Sequence, residues 1–80
     1  MKLPRDISGE ELASLLTKYG YRVTRQTGSH LRLTSTLKDT EHHLTIPKHK
    51  PLRVGTLSSI VNEVASYLKL DRQSVIRELF

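Results

Sequence analysis

Eighty residues make one small domain with a modest core, because a chain this short leaves much of its surface in water. The absence of cysteine excludes a disulfide framework and a thiolate metal site. No apolar run approaches membrane-spanning length, and Met1–Asp6 lacks the apolar stretch of a secretory signal, so a cytoplasmic domain is expected. Thirteen Lys and Arg against eight Asp and Glu leave a net charge of +5.

In chain order, Ser8 followed three residues later by Glu11 reads as a capping box that opens a helix. Leu12, Leu15, Leu16 and Tyr19 then form one apolar stripe, and Gly20 is placed to end the helix in a left-handed cap. From Tyr21 the period changes to two, which predicts a strand with Tyr21 and Val23 inward and Arg22 and Thr24 outward. Gln26 to Ser29 is a turn in which Gly28 is expected to supply a positive φ. The second strand, His30 to about Thr34, points Leu31 and Leu33 inward and His30, Arg32 and Thr34 outward.

A third strand, Glu41 to Ile46, faces His42, Leu44 and Ile46 inward and Glu41, His43 and Thr45 outward, and Pro47 stops it. Lys48 to Gly55 is a basic loop stiffened by Pro51. It leads into a helix from about Thr56, with Leu57, Ile60, Val61, Val64 and Leu68 on one stripe. Asp71 can cap a short last helix that buries Val75, Ile76 and Leu79. The order predicts an α+β domain of the form α-β-β-β-α. Three antiparallel strands carry both helices on one face, with a C-terminal helix added. The other face is left to water, with Arg22, Thr24, His30, Arg32, Thr34, His43 and Thr45 on it.

The charge is concentrated where this face is. Between Lys18 and Arg53 eight bases stand against two acids, and the same stretch holds all four histidines. A basic middle between near-neutral ends is the footprint of a site for polyanions. Cleaving RNA without a metal needs one group to take the proton of a ribose 2′-OH and another to protonate the departing 5′-oxygen. It also needs charge stabilised on phosphorus. His30 suits either proton role, and Arg22, Arg32 and Ser29 would hold phosphate oxygens. His43 is a second outward imidazole, either a phosphate contact or the proton partner.

Lys48, Lys50 and Arg53, with His49 among them, are placed to touch a nucleic-acid backbone. The N–H groups of Gly55, Thr56 and Leu57 at the helix start could receive a phosphate. Adjacent strand residues point to opposite faces, so His42 and His43 cannot chelate one ion; His42 is expected to be half-buried filler, and no metal or other cofactor is expected. Ser29 and His30 are a poor nucleophile pair, because no carboxylate is placed to orient the imidazole. On spacing alone His30 stays open between an inert exposed side chain, a phosphate contact and a proton-transfer group.

The stretches Gly9 to Tyr21, Gly28-Ser29-His30, His43 to His49 and Leu52 to Leu57 resemble the HicA (YcfA-like) family of toxin–antitoxin mRNA interferases, over roughly Ser8 to Leu68. The resemblance implies a double-stranded-RNA-binding-like fold and ribosome-independent mRNA cleavage. It implies His30 as the catalytic residue and a HicB-type antitoxin as the partner that covers it. Family members often end soon after the second helix, so residues 71–80 read as an extension that packs on the domain or offers an interaction surface. The leading reading is a toxin that acts as a metal-independent endoribonuclease on mRNA. The alternatives are a non-catalytic RNA-binding module on the same fold and an interaction protein whose basic face docks an acidic partner.

Overall fold

Ser8 starts the first helix as its spacing asks. In the computed structural model, which describes residues 3–80, Ser8 Oγ accepts the Glu11 N–H at 3.0 Å and Glu11 Oε1 accepts the Ser8 N–H at 3.1 Å. These two bonds satisfy donors that a helix start leaves open. Helix α1 runs Gly9–Leu15 and tightens into a 3-10 turn over Leu16–Tyr19, which Gly20 ends at φ 78°. The buried stripe is Gly9, Leu12, Ala13 and Leu16, with Tyr19 beyond it, whereas Leu15 is 38% exposed. The stripe is rotated toward its small residues because α1 approaches the sheet there. A Cβ on Gly9 would lie 2.0 Å from the Pro47 carbonyl oxygen.

Strands β1 (Arg22–Gln26), β2 (His30–Ser35) and β3 (His42–Pro47) form an antiparallel sheet in that order. Helix α2 (Val54–Leu68) and helix α3 (Arg72–Leu79) complete the chain. Leu31, Leu33, Leu44 and Ile46 from one sheet face meet Leu12, Leu16, Leu57, Ile60, Val61 and Val64 in the core. One layer of helices therefore covers one face of the sheet, the α-β-β-β-α arrangement that the order of elements predicts.

Two expectations about β1 and the turn after it need correcting. Val23 is 45% exposed, although its partner across the ladder, Leu33, is fully buried. Both point to the helix side, but β1 is an edge strand that α1 does not cover, unlike β3 at the other edge, whose Leu44 and Ile46 are buried. Val23 instead lines a shallow groove with Ala13, Ser14, Thr17 and Leu31. Gly28 does not take a positive φ; Gly20 is the only described glycine that does. The turn is closed by Thr27, whose N–H donates to the His30 carbonyl at 2.9 Å and whose Oγ1 accepts the His30 N–H at 3.0 Å.

At the far end of the sheet His42 is half-buried, as expected of a filler on the helix side. Its Nδ1 lies 2.7 Å from the Tyr21 hydroxyl and its ring stacks on Tyr67 at 4.8 Å between centroids. The Tyr67 hydroxyl accepts the Lys38 N–H and reaches the Thr40 carbonyl, which holds down the β2–β3 connection. The extension packs on the domain. Asp71 caps α3 through the N–H groups of Gln73 and Ser74, and Val75, Ile76 and Leu79 are buried. Glu78 receives the Tyr19 hydroxyl, and its carbonyl accepts Lys18 Nζ at 2.6 Å, which ties α3 to the end of α1.

Candidate nucleic-acid interface

Residues directly opposed in an antiparallel ladder share a face, so the register sorts the open face into rows. The first row is His30 opposite Pro47. The second is Arg25, Arg32 and Thr45, and the third is Arg22, Thr34 and His43. By register all seven residues expected on this face are there, but Thr34 is buried rather than open to water, and Arg22 at the sheet edge also lines the groove beside α1. Arg25 is an addition that simple alternation misses, since counting from Val23 places it inward. The register shifts between Val23 and Arg25, so Thr24 and Arg25 both face Arg32. Thr24 stays on the open face, where its hydroxyl lies 3.0 Å from the Thr34 hydroxyl.

His30 stands at the corner of this face, exposed, on the first residue of β2. Ser29 Oγ lies 2.9 Å from His30 Nδ1, so one ring nitrogen is engaged and Nε2 is the one free for a ligand. The backbone there is fixed by Thr27 on one side. On the other, the Lys48 N–H donates to the Ser29 carbonyl at 2.9 Å. The loop beyond Pro47 is pinned in turn, for Gly9 N–H donates to the His49 carbonyl at 3.1 Å and Leu52 N–H to the Ile7 carbonyl at 2.8 Å. A rigid frame of α1, the turn and this loop therefore holds the imidazole.

His43 does face solvent on the same side, but it is not beside His30. It opposes Thr34, four residues along β2 from His30, which at strand rise is about 13 Å. At that separation the two imidazoles do not meet at one phosphate, so His43 is not placed as the proton partner of His30. Its Nδ1 lies 2.8 Å from Thr34 Oγ1, and its Nε2 is 3.9 Å from Glu41. That contact is the one ion pair among the described residues. Among the described residues Arg22, Arg25 and Arg32 have no carboxylate partner and no side-chain hydrogen bond, so no described protein group neutralises their charge.

The remaining predicted contacts divide. Ser29 and Lys48 adjoin His30 through the backbone. Lys50 and Arg53 are exposed in the loop that enters α2, and among the described residues no hydrogen bond or ion pair joins their side chains to the His30 corner. Helix α2 begins at Val54, two residues before the expected start, and the Leu57 N–H is already bonded to the Arg53 carbonyl at 3.0 Å. Leu57 therefore cannot offer a free donor to a phosphate. Among the described residues no three His, Asp or Glu side chains gather as a metal-ligand group.

The family model described as HicA toxin of bacterial toxin–antitoxin matches residues 9–69. That span takes in α1, the whole sheet and α2 with its preceding loop. The chain belongs to the HicA toxin family. As a toxin of such a system it has an antitoxin as its partner. Helix α3 lies outside the matched span, although its buried residues make it part of this HicA domain's core. No curated protein and no solved structure matches the chain. No helix among the described residues is long and apolar enough to cross a membrane.

Proposed function

We propose that this HicA-family toxin is an endoribonuclease that cuts mRNA with His30 as its proton-transfer residue. The observation that carries the reading is an exposed imidazole held at one nitrogen by Ser29, at the head of a sheet face whose arginines have no acidic partner among the described residues. A polyanion laid on that face neutralises the arginines and brings a phosphodiester to His30 Nε2.

In the reaction the 2′-OH loses its proton as O2′ attacks phosphorus. The bond from phosphorus to O5′ breaks, and O5′ takes up a proton. The products are a 2′,3′-cyclic phosphate and a 5′-hydroxyl. No step as written requires a metal ion or other cofactor. His30 performs one proton transfer, and because His43 is too distant for the other, water performs it. Ser29 orients the ring, Arg22 and Arg32 hold phosphate oxygens, and His43, Lys48, Lys50 and Arg53 extend the contact along the RNA. A HicB-type antitoxin that covers the His30 corner would silence the enzyme, and the site of action is the cytoplasm, where mRNA lies.

The test is cleavage of purified RNA, with chelator present and no ribosomes, by the wild-type chain and by His30→Ala. A lost general acid or base costs about 10²-fold or more. The variant should still bind RNA with a salt-dependent affinity, since the phosphate contacts lie elsewhere on the face. Cleavage by His30→Ala as fast as by wild type would remove His30 from the mechanism. RNA that is bound by wild type but recovered intact would make the domain a binding module.

A further inference from the structure

We propose that Arg25 and Arg32 form a two-arginine clamp that holds one phosphate of a single-stranded RNA, the phosphate adjoining the one presented to His30. The inference rests on the nuclease reading above and adds to it a residue, a footprint and a direction for the strand.

The irregularity in β1 is what creates the pair. An unbroken alternation from Val23 would turn Arg25 toward the helices. The extra residue, Thr24, brings Arg25 back to the open face, directly across from Arg32. Opposed residues in an antiparallel ladder have Cβ atoms about 5 Å apart, and like charges so placed repel. Protein groups do nothing to relieve this, because neither guanidinium has a carboxylate or other hydrogen-bond partner among the described residues. Bulges are common on edge strands, and cations there discourage pairing with other chains. That protection explains one arginine on the edge. It does not explain a second on the central strand facing the first.

A phosphate accounts for both. Its two non-bridging oxygens accept from two planar forks that approach from adjacent strands, and a guanidinium is shaped for that contact. The clamp row lies two residues from His30 along β2, about 7 Å. One such step is close to the separation of successive phosphates in an extended single strand. The third row, Arg22 with His43, lies the same step further on. The RNA therefore runs along β2 from the His30 corner toward Ser35, not across the strands, with one phosphate per row.

The experiment measures binding of a fluorescent single-stranded RNA to the full chain carrying His30→Ala, over a range of salt. The variants added to it are Arg25→Ala, Arg32→Ala, the double variant and Arg25→Lys. Neutralising one single-strand phosphate contributes a slope of about 0.7 in log K against log salt. Each alanine variant should weaken binding, and the double variant should lose about 0.7 once, because both arginines serve one phosphate. Arg25→Lys should keep the slope and still bind more weakly, since it keeps the charge and loses the fork. Thermal melting should show Arg25→Ala folded and at least as stable as its parent at low salt, because a repulsion has been removed.

A double variant that loses about twice that slope would assign the arginines to separate phosphates and overturn the clamp. Unchanged binding by Arg25→Ala would overturn it as well. In both cases cleavage by the wild-type chain would leave the nuclease reading standing. A wild-type chain that neither binds nor cleaves RNA would overturn both.

Discussion

Replacing Gly9 with alanine should destabilise this domain, although the same change inside a helix ordinarily stabilises by about 1 kcal/mol. The new Cβ would sit 2.0 Å from the Pro47 carbonyl oxygen, 3.0 Å from its carbonyl carbon and 3.2 Å from Ile46 Cγ2. The nearest atom belongs to backbone, so no side chain can swing aside. Bringing that contact out to a tolerable 3 Å requires α1 and the end of β3 to part by about 1 Å. Overpacking of this kind costs about 1–3 kcal/mol, and stretching the bond from Gly9 N–H to the His49 carbonyl removes about 1 more. Set against the helical gain, the net loss is about 1–3 kcal/mol. For a domain of this size that is roughly 5–20 °C in Tm.

Gly55 supplies the control, since it also stands in the first turn of a helix but has nothing within 4 Å of its would-be Cβ. Gly55→Ala should gain about 0.5–1 kcal/mol. Urea unfolding followed by far-UV circular dichroism measures both. Gly9→Ala as stable as wild type, or Gly55→Ala as damaging as Gly9→Ala, would refute the close-approach reasoning. RNA cleavage by Gly9→Ala should fall as well under conditions where it is folded, because the displaced segment carries Lys48, whose N–H holds Ser29 beside His30.

Val23→Thr should change stability by no more than about 0.5 kcal/mol, whereas Leu33→Ala, its fully buried partner across the ladder, should cost about 2–5 kcal/mol in the same assay. Burial raises the pKa of the Tyr21 hydroxyl well above its ordinary value of 10.0, helped by nearby Tyr67 and Glu63. The folded state then keeps a proton that the unfolded chain releases, so this stabilisation is complete below pH 10 and is lost as pH rises further. Urea midpoints should fall above pH 10, less steeply in Tyr21→Phe; an identical slope in both would show that Tyr21 is not the group responsible. Ile76→Ala in α3 should cost about 2–5 kcal/mol, with one unfolding transition for the whole chain; a separate early transition would mean that α3 only rests on the surface.

Features closed over a few neighbouring residues were legible in the sequence. Ser8 and Glu11 satisfy each other across three positions, Gly20 ends α1 with a left-handed φ, and Asp71 caps α3. Alternation along β2 and β3 sorted Leu31, Leu33, Leu44 and Ile46 from His30, Arg32 and His43; Thr34 takes the expected face by register but is buried, its hydroxyl bonded to Thr24 and His43. The turn before His30 was located correctly, but the residue that closes it was misassigned. A glycine there signals a bend, while the Thr27 side chain that replaces the positive φ carries no comparable signal.

Other features appear only when distant segments meet. The displacement in β1 that turns Arg25 outward depends on how β1 seats against β2, and nothing in Val23-Thr24-Arg25 announces it. Val23 has the residue type of a core position, yet it is exposed because α1 stops short of the edge strand. The separation of His43 from His30 is a matter of ladder register, which alternation alone leaves undetermined along the strand. The sequence by itself therefore determined the elements, their faces and the histidine at the head of the sheet, because each rests on groups close along the chain. Tertiary structure decided which cations stand together and how tightly α1 closes on the loop beside His30, because those depend on register and close approach between residues far apart in sequence.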